Sequence, residues 1–117
     1  MKNHILQTQL KNLLGERCSF SETVRSNYAR GEDVFEPVLS QAVVFPETNE
    51  EISSIVKICN KENTPIVCFG SGTSLEGNAL GNKDGITLSL EKMNKVLSVN
   101  AEDFDCRVQA CVTRKQL

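Results

Sequence analysis

The sequence predicts an α+β domain whose first half is α/β-like: parallel strands around a crossover helix, then further short strands. Three observations carry this. Ala42-Val43-Val44-Phe45 is a short β-branched run closed by Pro46 and reads as a buried strand. Thr48 and Glu51 then form a capping-box signature ahead of Ile52, Ile55, Val56 and Cys59, the apolar stripe of an amphipathic helix. A second apolar run, Ile66-Val67-Cys68-Phe69, follows Pro65 and empties into a glycine-rich loop. Strand, helix, strand in that order is a βαβ unit, so the two strands should be parallel with a right-handed crossover.

The other elements follow in order. Residues 5–14 place Ile5, Leu6, Leu10, Leu13 and Leu14 near helical spacing, with Gly15 as a stop. Residues 19–30 are polar with sparse apolar positions, a short helix or an irregular arm, and 31–37 read as loop. Asn60 and Asn63 can end the central helix, and Pro65 forbids its continuation. After a polar turn at 81–85, Ile86-Thr87-Leu88-Ser89-Leu90 alternates as a half-buried strand does. Residues 96–99 and 106–110 have the pattern of a hairpin across an acidic turn. Thr113 and Gln116 make a second capping box that opens a helix, and Leu117 follows at once. A helix nucleates at a loss and recovers it by propagating, so the chain is expected to be the amino-terminal piece of a longer protein. Residues 1–40 are expected as an N-terminal helical arm and 41–117 as the first part of the main domain.

Composition narrows the function. The 117 residues suffice for one ordinary domain. Thirteen basic against fifteen acidic residues, with no basic cluster, argue against nucleic acid as a partner. The apolar runs are too short to span a bilayer, and the first residues lack a signal-peptide apolar region, so a cytoplasmic setting is expected. Five cysteines, at 18, 59, 68, 106 and 111, include no CxxC pair and suggest neither a disulfide framework nor a metal site. Cys59 and Cys68 fall on apolar positions and are expected as buried, reduced core thiols. His4 is the single histidine and is expected on a solvated helix face; no Ser-His or Cys-His pair can be assembled at the loop.

The loop Gly70-Ser71-Gly72-Thr73-Ser74-Leu75-Glu76-Gly77-Asn78 is the chemical centre of the sequence. Glycines let a row of backbone N–H groups turn toward an anion and approach it closely. The loop lies at the carboxyl end of a strand, where open α/β sheets bind ligands. Two familiar templates fail. A Walker loop has Lys and a hydroxyl where Asn78 and Ala79 stand. The Rossmann fingerprint has a third glycine where Leu75 stands.

A third template fits. The stretch from Val43 to Leu117 resembles the flavin-binding half-domain of the vanillyl-alcohol-oxidase/para-cresol-methylhydroxylase superfamily, and within it the glycolate oxidase subunit and D-lactate dehydrogenase branch. The resemblance rests on Val44-Phe45-Pro46 with Thr48 and Glu50-Glu51-Ile52, on Pro65-Ile66 leading into residues 70–77, on Leu88-Ser89-Leu90 with Met93-Asn94, and on Val108-Gln109 with Val112-Thr113. It implies the amino-terminal subdomain of a PCMH-type FAD-binding fold. It also implies that Gly70, Ser71, Gly72, Thr73, Ser74, Gly77 and Asn78 wrap the pyrophosphate of a noncovalent FAD. The implied activity is FAD-dependent oxidation of a small 2-hydroxy acid such as D-lactate or glycolate, the substrate being gripped by a downstream domain. No catalytic residue is expected in this chain, which alone would be inactive. A flavoenzyme of another branch of the fold, or a non-catalytic half-domain that has lost flavin, are the alternatives. Cys111 stands where the family's turn has glycine; a positive φ there would cost of order 1 kcal/mol.

Overall fold

The computed structural model describes residues 4–29, 36–73 and 81–117, in a mixed α+β arrangement. Helix α1 (His4–Leu14) leads through a turn at Gly15–Arg17 to strand β1 (Cys18–Ser19) and the short helix α2 (Glu22–Asn27). Strand β2 (Ala42–Val44), helix α3 (Asn49–Lys61) and strand β3 (Ile66–Phe69) form the expected strand–helix–strand succession. Strand β4 (Ile86–Ser89) precedes a hairpin of β5 (Val96–Asn100) and β6 (Asp105–Val108). The main sheet has the order β1-β2-β4-β3. β2 and β3 are parallel, but each pairs with β4, which runs parallel between them. β1 closes the other edge by antiparallel pairing with β2.

One face of this sheet carries the apolar core. Ala42, Val44, Ile86 and Leu88 pack against Leu6, Leu10 and Leu14 of α1 and Ile55 and Cys59 of α3. The stripe of α3 runs through Ile55 and Cys59, with Ile52 and Ile58 at its margins. Val56 lies on the solvent side of that stripe, at 46% exposure, rather than in the core. Thr48 caps α3 by accepting from the Glu51 N–H at 3.1 Å. Glu51 reaches back one residue further than a capping box requires, accepting from the Glu47 N–H and from both terminal nitrogens of Arg17. At the other end Asn63 takes φ +52°. The Thr64 and Asn63 N–H groups bond the Cys59 and Asn60 carbonyls, the double closure of a Schellman motif.

The opposite face differs from expectation. β4 is buried on both sides, Thr87 and Ser89 as completely as Ile86 and Leu88. The alternation that predicts a half-exposed strand instead separates an apolar face from a buried polar one. Its hydroxyls find partners: Ser40 Oγ and Thr87 Oγ1 lie 2.6 Å apart, and Ser40 Oγ also accepts from the Asn82 N–H. β3 is the outer strand, and its position leaves Cys68 exposed, contrary to the core thiol expected there. Cys59 and Cys18 are buried, and burial pushes both thiols up to about 11. His4 is exposed at the start of α1, as expected.

The β5–β6 hairpin is exposed along both strands and turns at Ala101–Asp103 and Phe104, a left-handed residue with φ +56°. It is tied back by the Cys111 N–H to the Met93 carbonyl at 2.9 Å. Among the described residues only Asn63 and Phe104 are non-glycines of positive φ, so Cys111 carries no such strain. Thr113 and Gln116 form the reciprocal capping bonds but open a single 3-10 turn, Arg114–Gln116. Among the described residues no helix is long and apolar enough to cross a membrane, and no cluster of three metal-ligating side chains occurs.

Candidate cofactor-binding site

Parallel pairing places the ends of β2, β3 and β4 at one edge of the sheet, with Phe45, Gly70 and Leu90 following them. Peptide groups leaving a parallel strand at that edge have no further ladder partner. The Leu90 N–H closes the β3–β4 ladder on the Phe69 carbonyl at 2.9 Å. Beyond it, the backbone N–H groups of Gly70, Ser71, Gly72 and Thr73 donate to no other described residue. Gly70, Ser71 and Thr73 are exposed and Gly72 is half-buried. Among the described residues these four consecutive donors have no partner, a condition that an anion-binding loop must meet. Of the seven residues that the sequence nominates, these four are brought together. Ser74, Gly77 and Asn78, with Leu75 and Glu76, lie outside the described residues.

Gly72 is fixed on two grounds. Its φ is +72°, and a Cβ there would lie 2.6 Å from Phe69 Cζ and 2.9 Å from Cε1. Phe69 is 8% exposed and held by a neighbouring ring, Tyr28, so it has little freedom to withdraw. Where the chain is next described, Gly81 donates its N–H to the Ala29 carbonyl at 2.7 Å. A Cβ on Gly81 would sit 1.9 Å from the Val38 carbonyl oxygen, so only glycine fits. The segment 28–41 therefore contacts the chain on both sides of residues 74–80. Sequence reasoning assigned no role to Phe69, Tyr28, Ser40 or Gly81. The one available signal was Tyr28 itself, the single tyrosine of the chain, in an otherwise polar stretch.

The FAD binding domain family model matches residues 40–117. This chain belongs to that family. Residues 70–73, with amides that have no partner among the described residues and a glycine held at φ +72°, are compatible with FAD, the cofactor that membership assigns. Over 102 residues the chain is 41% identical to a probable mitochondrial D-lactate dehydrogenase of Danio rerio, covering 87% of this chain and 20% of the relative. It is 37% identical over 71 residues to the glycolate oxidase subunit GlcD of Bacillus subtilis, covering 61% and 15%. The chain thus spans about a fifth of the length of the curated relatives it matches. A crystal structure of p-cresol methylhydroxylase with substrate bound superposes with a TM-score of 0.84 at 24% identity, covering 98% of this chain and 23% of that one. The PCMH-type fold expected from the sequence is the fold observed.

Proposed function

We propose that this chain is the first part of an FAD-dependent oxidoreductase acting on a small 2-hydroxy acid of the D-lactate or glycolate type, and that residues 70–73 hold the FAD pyrophosphate. The observation that carries the site is the run of four backbone donors at the end of β3 that have no partner among the described residues, with Gly72 in a left-handed conformation. Hydrogen bonds to an ionised acceptor are roughly twice as strong as neutral ones, so the pyrophosphate is the part of FAD that such a row favours most. Ser71 and Thr73 add hydroxyl donors, and Ser74, Gly77 and Asn78 belong to the same proposal by sequence. The likeness to a D-lactate dehydrogenase and a glycolate oxidase subunit supports the substrate class.

FAD supplies the redox chemistry by accepting a hydride equivalent from the substrate carbon. The chain's own residues bind and orient it; His4, the single histidine, lies on α1 and offers no covalent attachment at the loop. Substrate-gripping groups come from sequence other than this chain, which by itself turns over nothing. Titration of the purified chain with FAD, followed by flavin fluorescence and absorbance, tests the site. Uptake by the native chain and its loss in Gly72→Val are expected. Equal affinity in the two proteins would show that the loop is not where FAD binds.

A further inference from the structure

Gly72 stands against a cluster of three rings, Phe69, Tyr28 and Phe45, to which the N-terminal segment contributes Tyr28. Phe69 occupies the space beside Gly72 that a side chain would fill. Tyr28 meets the Phe69 ring edge-on at 5.0 Å and the Phe45 ring edge-on at 5.4 Å. Its hydroxyl donates to Glu91 Oε1 at 2.5 Å. Phe45 follows β2, Phe69 ends β3 and Glu91 lies just beyond β4. One side chain therefore touches the carboxyl end of all three parallel strands. The next residue, Ala29, accepts the Gly81 N–H where the chain returns from the loop.

We propose that Tyr28 is a positioning residue: held by Glu91, its ring fixes Phe69 beneath Gly72 and presets the glycine loop for the FAD pyrophosphate. The proposal rests on the reading that residues 70–73 form the FAD site. Tyr28 makes no hydrogen bond or ring contact with residues 70–73. It acts by denying Phe69 alternative rotamers, one of which would open the space into which Gly72 could relax. A loop ordered before binding spares the ligand that cost, and preorganisation raises affinity without a new contact. Edge-to-face geometry makes the ring, rather than mere apolar volume, the operative part.

The test uses the full chain and three measurements: FAD affinity, thermal unfolding, and rapid-labelling hydrogen exchange of residues 70–73 without FAD. Tyr28→Leu is expected to weaken FAD binding about tenfold, the scale of one lost aromatic contact, and to speed exchange of the FAD-free loop severalfold. Tyr28→Phe, which keeps the ring but gives up the hydrogen bond to Glu91, is expected to recover both only in part and to match Glu91→Ala. A folded Tyr28→Leu protein with native affinity and native loop exchange would overturn the proposal. If Tyr28→Leu does not fold, the exposed change Glu91→Ala decides: faster loop exchange supports the role, and unchanged exchange removes it. Should the native chain take up no FAD, the assignment of the site fails on that result, while the FAD-free exchange still judges whether Tyr28 orders the loop.

Discussion

The buried hydroxyl pair Ser40–Thr87 offers a sharp test of how the polar face of the sheet is held. Both side chains are 1% exposed, and their oxygens lie 2.6 Å apart. Thr87→Val preserves shape and β-branching but leaves the Ser40 hydroxyl with one partner fewer in a site closed to water. An orphaned buried hydroxyl costs about 1–3 kcal/mol, so a loss of about 2 kcal/mol is expected. Ser40→Ala orphans Thr87 in turn and also removes the acceptor of the Asn82 N–H. The loss is about 2 kcal/mol or more, since the Asn82 N–H gives up its acceptor as well. The double variant has no orphaned hydroxyl left. Replacing both partners by apolar groups approaches neutrality, and its loss should be about 1–2 kcal/mol, well short of the additive value. Urea unfolding of the four proteins measures this through midpoints at constant slope. Losses that add to within about 0.5 kcal/mol would refute the reasoning, because independent sites behave that way.

Two further outcomes follow from the titrating groups. The bidentate Arg17 contact, with the Glu47 and Thr48 N–H groups behind it, holds the Glu51 carboxyl down to about 2. A lowered carboxyl stabilises the fold fully above the ordinary carboxylate range and loses that contribution as pH falls from about 5 toward 2. With the two side chains 26% and 21% exposed, the gap between native chain and Glu51→Gln should be about 2 kcal/mol at neutral pH and close on acidification; a gap independent of pH would be wrong for this pair. Burial raises Cys18 and Cys59 to about 11, whereas Cys68 and Cys106 are exposed. At pH 8 an aromatic disulfide reagent should modify Cys68 and Cys106 quickly and reach Cys18 and Cys59 only on unfolding, since the thiolate is the nucleophile. Peptide mapping that finds Cys59 modified as fast as Cys68 would contradict the packing of α3.

Local signals were legible where one principle dominates. Thr48 capped the helix, Asn63 ended it in a left-handed conformation, and the strand–helix–strand order gave parallel strands. The insertion of β4 between β2 and β3 was not legible, because pairing order depends on a connection through residues 70–85 that carries no periodicity. That insertion explains two of the errors of burial, though not Val56. It makes β4 central, so Thr87 and Ser89 are covered, and it leaves β3 at the edge, so Cys68 is open to solvent. That the chain leaves the strand at Gly70 and needs a left-handed glycine at Gly72 was legible from composition. The support behind Gly72 was not: Phe69 reads as an ordinary core residue, and nothing near Tyr28 in sequence indicates that it meets Phe45 and Phe69.

The same geometry bears on where the functional unit lies. The family match begins at residue 40, yet Leu6, Leu10 and Leu14 share one apolar cluster with Ile55, Cys59 and Ile86. β1 pairs with β2 and covers an edge whose free N–H and C=O groups would otherwise invite another chain. Arg17 binds Glu51 at the start of α3, while Tyr28 and Ala29 contact the chain on either side of the glycine loop. Removing the first 39 residues would therefore strip the core of three leucines, uncover β2 and release Phe69 together. The glycine motif is local, but the packing behind the site proposed at residues 70–73 is supplied by residues the motif does not include.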